Sequence, residues 1–253
     1  MFIAVISDIH GNRQALEAVL GDIAGYMPDH IVNLGDVVGY GGDPEWCLQT
    51  IKYTASISIL GNHDVNAADM EPIHPSVNPV AALALHWTSQ HLSDDSKSFL
   101  RGLQYQAQEP CGRIGYVHSS VPHPESFHYL LRRERIEEHL QEQTQKITFV
   151  GHSHLPDCWS TDGTKMFCLF GYRSGFVSFD LNGPEQDKSM VNTGSVGQPR
   201  DHDPKASYAL LEIEGSKLKI MNKKVEYDIE TAQARIREAG LPEALATRIE
   251  FGR

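Results

Sequence analysis

The sequence predicts an α/β fold, on three observations. Strand-like and helix-like patterns alternate over the first sixty residues, and this βαβαβ order implies parallel strands joined by right-handed crossovers. Helical patterns dominate the next forty residues, and short strand patterns dominate from Thr164 onward. With 253 residues, 40% of them hydrophobic, the chain is long enough to bury a sizeable core.

The first elements follow from apolar spacing and helix-capping signals. A strand pattern occupies residues 2–7, and the helix pattern at residues 12–24 places apolar side chains on one face. Asp43-Pro44 joins an N-cap to a proline at the first helical position, which predicts a helix through about residue 53. Strand patterns at residues 31–34 and 56–60 lie on either side of that helix.

The remaining elements are predicted by the same criteria. Asn78-Pro79 repeats the cap-and-proline signal before a helix to about residue 92, and a shorter helix covers residues 93–102. Strands at 113–117 and 147–150 flank a charged helix at 131–143. Further strands are expected at 166–170, 175–180, 189–192, 207–213 and 217–227. A helical tail at 229–249 is interrupted at Gly240-Leu241-Pro242.

No linker, repeat or low-complexity tract divides the chain. We therefore expect residues 1–253 to form a single domain, with a helical insertion at about 65–103 and a helical tail at about 229–253.

The composition disfavours several classes of protein. The chain carries 22 Lys and Arg against 33 Asp and Glu, and a formal net charge of -11 disfavours binding to extended nucleic acid. No run approaches the roughly 18–20 apolar residues of a membrane span, and the amino terminus lacks the basic region of a secretory signal. We therefore expect a cytoplasmic protein without a membrane partner. The four cysteines form no CxxC pair, which argues against a zinc–thiolate site and a disulfide scaffold.

Metal-ligating residue types follow five predicted strands. In open α/β sheets ligands bind at the carboxyl ends of the strands, where glycines permit sharp turns. Each motif alone could be a turn or a helix cap, but five in succession are poorly explained by coincidence. The motifs are Asp8-Ile9-His10, Gly35-Asp36, Gly61-Asn62-His63-Asp64, His118 and Gly151-His152-Ser153-His154.

Together the motifs predict a pair of metal ions. Leaving His63 aside, they offer two carboxylates, one amide oxygen and four imidazoles, with no thiolate. This mixture suits Mn²⁺, Fe²⁺, Zn²⁺ or Ni²⁺ better than Mg²⁺ or Ca²⁺, and we favour Mn²⁺. Seven ligands are too many for one open catalytic ion, so two divalent ions that share a carboxylate are expected.

These motifs resemble those of the calcineurin-like metallophosphoesterase family, over residues 2 to about 213. The resemblance implies a four-layer α/β/β/α fold, in which two mixed β-sheets pack as a sandwich flanked by helices. It implies one metal bound by Asp8, His10 and His154, a second bound by Asn62, His118 and His152, and Asp36 bridging the two. It also implies that His63 faces the substrate.

The expected chemistry is hydrolysis of a small phosphoester. Two ions about 3.5–4 Å apart can hold phosphoryl oxygens and a hydroxide for in-line displacement. His63 would donate a proton to the leaving oxygen, which typically contributes about 10²- to 10⁴-fold. Asp64 either orients His63 or caps the segment that follows, and the sequence leaves both open.

The substrate expectation rests on a departure from one branch of the family. In the protein serine/threonine phosphatases the second motif reads Gly-Asp-x-x-Asp-Arg-Gly, whereas residues 35–41 here read Gly-Asp-Val-Val-Gly-Tyr-Gly. A guanidinium suits a monoester dianion, so its absence favours a phosphodiester or a nucleotide-like anhydride. A phosphomonoesterase, a dinucleoside polyphosphate hydrolase and a non-catalytic metal-binding scaffold are the alternatives.

A second loop could supply an arginine of its own. Residues 192–200 resemble the Asn-x-Gly-Ser…Pro-Arg segment of the small bacterial and archaeal phosphodiesterase branch. Arg200 either binds phosphate or stabilises a tight structural turn.

Overall fold

The computed structural model of the chain describes residues 1–169 and 175–253. Twelve strands lie in these two ranges: β1 (Phe2–Ile6), β2 (His30–Asn33), β3 (Ile57–Ser58), β4 (Gln106–Gln108), β5 (Ile114–Val117), β6 (Ile147–Val150), β7 (Asp157–Thr161), β8 (Met166–Cys168), β9 (Phe176–Asp180), β10 (Lys188–Asn192), β11 (Ala206–Glu214) and β12 (Lys217–Val225).

The strands form two six-stranded sheets. The first has the order β3-β2-β1-β11-β12-β9, and the second has the order β4-β5-β6-β10-β7-β8. In the first sheet β1, β2 and β3 are parallel, and in the second β5, β6 and β10 are parallel, while the other pairs are antiparallel. The two mixed sheets confirm the fold class that the family resemblance implied.

Eight α-helices flank the sheets in the described part of the chain: α1 (Arg13–Ala24), α2 (Pro44–Thr54), α3 (Asn62–Ala67), α4 (Pro79–His91), α5 (Asp94–Arg101), α6 (Arg133–Glu142), α7 (Ile229–Glu238) and α8 (Glu243–Glu250). The two predicted cap-and-proline signals lie at the starts of α2 and α4. Pro44 occupies the first turn of α2, although the Asp43 side chain makes no capping hydrogen bond, and the Asn78 side chain accepts from the Val80 backbone N–H at 2.9 Å before Pro79 opens α4.

Strand β1 shows how the layers are held together. Its alternate residues Ile3 and Val5 are buried between the sheets with Phe149, whereas Ala4 and Ile6 are buried against the helices. Burial of each large apolar side chain contributes about 1.5–3 kcal/mol. Because β1 is packed on both faces, the loop that follows it is held between the two sheets.

The helical tail forms a smaller apolar cluster of its own. Ile236 of α7 and Leu245 of α8 pack with Ala84 of α4, and Tyr40 lies against this cluster. The tail therefore covers the same end of the molecule as the loop after β2. Among the described helices, none has the length and hydropathy needed to cross a bilayer.

Most predicted elements are present, with boundaries that differ by a few residues. The predicted strand at 166–170 corresponds to β8, and its last position, Phe170, lies outside the described residues. Three short elements were missed: α3, β4 and β7. Each depends on tertiary contacts, since β4 and β7 pair antiparallel with β5 and β10.

Candidate metal centre

The five motifs converge at one site between the sheets. Asp8 follows β1, Asp36 follows β2, and His118 follows β5. The His118 Nε2 atom lies 3.4 Å from Asp36 Oδ2 and 4.0 Å from Asp8 Oδ1. Asp8 and Asp36 come from the first sheet and His118 from the second, so the site is built across both.

Five predicted ligands adopt left-handed backbone conformations, with φ between 51° and 62°. Such conformations are uncommon outside glycine and are retained where the surrounding structure over-determines them, often at functional sites. The residues are Asp8, His10, Asp36, His152 and His154.

One group of potential ligands combines the motifs after β1 and β6. The ligand atoms of Asp8, His10 and His154 all lie within 4.8 Å of one another. His154 Nε2 is 3.2 Å from Asp8 Oδ1, and His10 Nε2 is 3.7 Å from the same oxygen. All three residues are buried.

A second group surrounds Asp36. The ligand atoms of Asp36, His118 and His152 again lie within 4.8 Å of one another. Asp36 Oδ2 is also 3.8 Å from His10 Nε2 of the first group. Asp36 therefore lies between the two groups, where a bridging carboxylate would be needed.

The imidazoles of His10 and His154 are arranged for a cation. Each Nδ1 donates to a backbone carbonyl, from His10 to Val38 at 3.1 Å and from His154 to Gln198 at 2.5 Å. Burial lowers the pKa of both rings, so both are neutral and each Nε2 carries a lone pair. The two Nε2 atoms are only 3.1 Å apart. Facing lone pairs repel unless a cation lies beside them, so these residues fit a metal ion.

Further buried polar atoms at the site lack hydrogen-bond partners among the described residues. Buried polar groups are normally satisfied, and each exception calls for an explanation such as a bound ion. A pair of cations would satisfy all of the ligand atoms concerned, which are Asp8 Oδ1, Asn62 Oδ1, His118 Nε2 and His152 Nε2.

The protonation states suit metal ligation. Burial acts to raise the pKa of Asp8, but His154 and His118 hold that pKa well below its usual range. Burial lowers the pKa of His152 to about 3. For His118 burial also acts to lower the pKa, but the Asp36 carboxylate overrides it and raises the pKa to about 9. A metal at His118 would therefore displace a proton.

The Asp64 side chain is hydrogen-bonded to backbone N–H groups. Its carboxylate accepts backbone N–H bonds from Asp36, Val37 and Val38, at 2.7, 3.0 and 3.3 Å, and from Gly61 at 3.1 Å. No described contact joins it to the His63 ring. Asp64 is therefore a cap at the start of its own helix, α3, rather than of the segment that follows, and it also fixes the loop after β2.

His63 lies beside both groups of potential ligands. Its backbone N–H donates to Asp36 Oδ1 at 2.8 Å, and its ring centroid is 4.7 Å from that of His10. Burial lowers the pKa of His63 to about 4, and Nδ1 has no described hydrogen-bond partner. The ligand atoms of His10, Asp36 and His63 also lie within 4.8 Å of one another, an arrangement that the sequence did not suggest.

The loop at residues 192–200 forms hydrogen bonds with two residues of the candidate metal centre, Asp8 and His154. Ser195 Oγ donates to the Asp8 carbonyl at 2.8 Å, and the Gln198 carbonyl accepts from His154 Nδ1. The Arg200 side chain donates to Gln198 Oε1 at 3.1 Å, and its buried Nε has no partner among the described residues. The loop is thus a structural turn, while the Arg200 guanidinium retains free donor capacity.

Sequence reasoning missed two tyrosines at the site. The Tyr40 ring lies 4.7 Å from that of His10 and 4.5 Å from that of His63, between centroids. The Tyr129 ring stacks on His152 at 4.0 Å. Tyr40 lies four residues after Asp36 in a glycine-rich loop, which was a usable signal, whereas nothing in the sequence around Tyr129 marks it.

Three comparisons with known proteins agree with this geometry. The family model described as calcineurin-like phosphoesterase superfamily domain matches residues 1–216. The uncharacterized protein MJ0912 of Methanocaldococcus jannaschii is 36% identical over 253 residues, covering 99% of this chain and 98% of that protein. A metallophosphoesterase from Sphaerobacter thermophilus is 35% identical, with a TM-score of 0.82 over 100% of this chain and 99% of that one. The hypothetical protein PH1004 of Pyrococcus horikoshii OT3 shares the fold at 21% identity, with a TM-score of 0.76 over 100% and 98% of the two chains.

Proposed function

The chain belongs to the calcineurin-like phosphoesterase superfamily, and from this premise we propose that it is a binuclear metal-dependent phosphohydrolase that acts on phosphodiesters. The observation that carries the proposal is the pair of neutral imidazole Nε2 atoms of His10 and His154, which face each other at 3.1 Å beside the Asp8 carboxylate. A bound cation would explain this arrangement, because it would attract both lone pairs.

The ligand assignment follows the two groups of buried side chains. Asp8, His10 and His154 would hold one ion, Asn62, His118 and His152 would hold the other, and Asp36 would offer its carboxylate to both. Six of the seven come from loops that follow strands of the two sheets, and Asn62 is the first residue of α3, so we propose that the 253 residues act as one catalytic unit. Mn²⁺ is our choice of ion because the donor set mixes carboxylate, amide and imidazole.

When bound, the ions supply Lewis acidity and make a water molecule far more acidic. The protein's residues contribute the rest. Asp64 holds the loop that presents Asp36, and the carbonyls of Val38 and Gln198 fix the ring orientations of His10 and His154. His63, which lies against Asp36 without being needed as a ligand, would give a proton to the leaving oxygen. Because burial lowers the pKa of its ring to about 4, this role requires that the negative charge of the bound substrate raise that pKa so that the ring takes a proton from solvent.

The substrate preference rests on the loop after β2. Where the protein phosphatase branch has an acid and an arginine, this loop has Gly39 and Tyr40, and the Tyr40 ring lies next to His10 and His63. An aromatic ring offers no charge to a monoester dianion, so a singly charged diester is favoured over a monoester.

The test is a parallel assay of the Mn²⁺-loaded protein. Its substrates are bis(p-nitrophenyl) phosphate, p-nitrophenyl phosphate and diadenosine tetraphosphate. We expect the diester to be hydrolysed with the highest kcat/KM. Exclusive monoesterase activity, or cleavage of the polyphosphate alone, would instead favour the corresponding alternative. Absence of turnover on all three, together with absence of bound metal, would leave a scaffold protein.

A further inference from the structure

A cavity of about 470 Å³ adjoins the candidate metal centre. Its walls come from five separate parts of the chain, including the loop after β2, the start of α4 and the carboxy-terminal helix α8. The lining residues used below are Tyr40, Tyr129, Arg200 and Arg248.

Two of these residues connect the cavity to the metal centre. Tyr40 packs beside His10 and His63, and its ring centroid is 6.0 Å from the guanidinium carbon of Arg248. Tyr129 stacks on His152. The cavity thus shares a wall with each of the two groups of potential ligands, and it offers room for the part of a substrate that lies away from the metal centre.

The other two residues are arginines that no Asp or Glu side chain neutralises. Among the described residues, no Asp or Glu oxygen lies within 4.0 Å of Arg200 or Arg248, although the chain as a whole is strongly acidic, and Arg248 Nε donates to the main-chain oxygen of Arg253. On the same helical tail, Arg235 pairs with Asp43 and Arg237 pairs with Glu243, both at 2.7 Å. Unlike Arg235 and Arg237, the two arginines of the cavity are not neutralised by an Asp or Glu side chain, so the cavity carries positive charge.

The two guanidinium groups line the same cavity. Burial and then the charge of Arg200 lower the pKa of Arg248, which indicates that two like charges share this space. Arg248 donates through Nε to the main-chain oxygen of Arg253, and its two terminal nitrogens have no hydrogen-bond partner among the described residues. Such a pair is unfavourable unless an anion lies between its members, and a phosphate accepts a guanidinium in two-point fashion.

We propose that Arg200 and Arg248 bind a second phosphate group of the substrate, so that, among phosphodiesters, the preferred one carries at least one phosphate beyond the one that is hydrolysed. This inference rests on the proposed function and narrows its substrate class to phosphoesters such as a phosphorylated nucleotide ester. Arg248 lies beyond residue 216, where the family match ends. The helical tail therefore supplies a specificity residue that the shared domain lacks.

The test compares two ligands that differ by one phosphate. Binding of thymidine 5′-phosphate and thymidine 3′,5′-bisphosphate to the Mn²⁺-loaded protein is measured by calorimetry. Turnover is measured on the corresponding 5′-p-nitrophenyl esters. The variants are Arg248→Gln, Arg200→Gln and Arg248→Lys. Arg253→Gln is the matched control, because it removes an exposed cation from the same tail. Circular dichroism establishes that each variant is folded.

We expect the wild-type protein to bind the bisphosphate at least about tenfold more tightly than the monophosphate, as charge-assisted hydrogen bonds predict. Arg248→Gln and Arg200→Gln should each abolish most of that ratio, Arg248→Lys should keep part of it, and Arg253→Gln should retain it. Equal binding of both ligands by the wild type, or an unchanged ratio in both glutamine variants, would overturn the proposal. An equal loss in Arg253→Gln would also overturn it. That result would mean that the binding ratio depends on the total positive charge of the tail and not on Arg200 and Arg248.

The binding measurement does not depend on hydrolysis. If neither ester is hydrolysed but the binding ratio behaves as expected, the phosphohydrolase function fails and the arginine pocket stands. If the esters are hydrolysed equally and the binding ratio is absent, the pocket fails and the phosphohydrolase function stands.

Discussion

The carboxylate of Asp64 accepts a hydrogen bond of 2.7 Å from the backbone N–H of Asp36, the residue at the middle of the candidate metal centre. The same carboxylate accepts from Val37, Val38 and Gly61. It therefore holds Asp36 in its left-handed conformation and ties the loop after β2 to the start of α3. A residue that touches no ligand atom thus decides where the central carboxylate lies.

Replacing Asp64 should therefore damage both stability and metal binding. Asp64→Ala leaves four buried N–H donors without an acceptor, and each unsatisfied buried group costs about 1–3 kcal/mol. We expect the free energy of unfolding in urea to fall by at least about 3 kcal/mol, and metal content by mass spectrometry to fall with it. Asp64→Asn, which keeps one acceptor oxygen, is the control and should lose less. Wild-type stability and metal content in Asp64→Ala would show that the loop is held by other contacts.

Asp36 should be indispensable for metal binding. Asp36→Ala removes the one carboxylate that lies between both groups of ligands, so we expect the purified variant to lose both ions and all hydrolytic activity. The measurement is the metal-to-protein ratio after dialysis. A variant that still binds two ions would show that Asp36 does not bridge them.

His63 should be separable from the metal ligands. His63→Ala is expected to lower kcat by about 10²- to 10⁴-fold on a substrate with a poor leaving group, because a general acid is lost. Metal content should stay at the wild-type ratio. The alternative is that His63 is itself a metal ligand, because the ligand atoms of His10, Asp36 and His63 lie within 4.8 Å of one another. Loss of one ion per chain in His63→Ala would establish that outcome.

A buried histidine away from the centre should make the protein sensitive to acid. His139 of α6 is buried, its Nδ1 accepts from the Val121 N–H at 3.1 Å, and burial lowers its pKa to about 3. Between pH 6.5 and 3 the His139 ring is protonated in the unfolded chain but stays neutral in the folded protein. The free energy of unfolding therefore falls as the pH falls through this window. At pH 5 the loss is about 2 kcal/mol relative to neutral pH.

His139→Gln removes this titration while keeping a hydrogen-bond acceptor. We expect the difference in unfolding free energy between pH 7.5 and pH 5.0 to shrink in this variant, as measured by urea titration of the metal-free protein. The control is His86→Gln at an exposed position of α4. An undiminished pH difference in His139→Gln would mean that His139 already titrates in the folded state.

The candidate ligands could be predicted from the sequence because each of them lies in a short motif. Each motif directly follows a strand, and strand ends of parallel sheets meet at one edge, so Asp8 and Asp36 could be placed together from pattern alone. The contact between His10 and His154 joins residues 144 positions apart, and only the family resemblance placed them at one metal. Arg248 was not predicted, because docking of α8 depends on apolar contacts such as that of Leu245 with Ala84.

The most direct measurement is anomalous X-ray diffraction from a crystal of the Mn²⁺-loaded protein. The account predicts two anomalous peaks about 3.5–4 Å apart, with a carboxylate oxygen of Asp36 in contact with both. A single peak, or two peaks that Asp36 does not join, would contradict it.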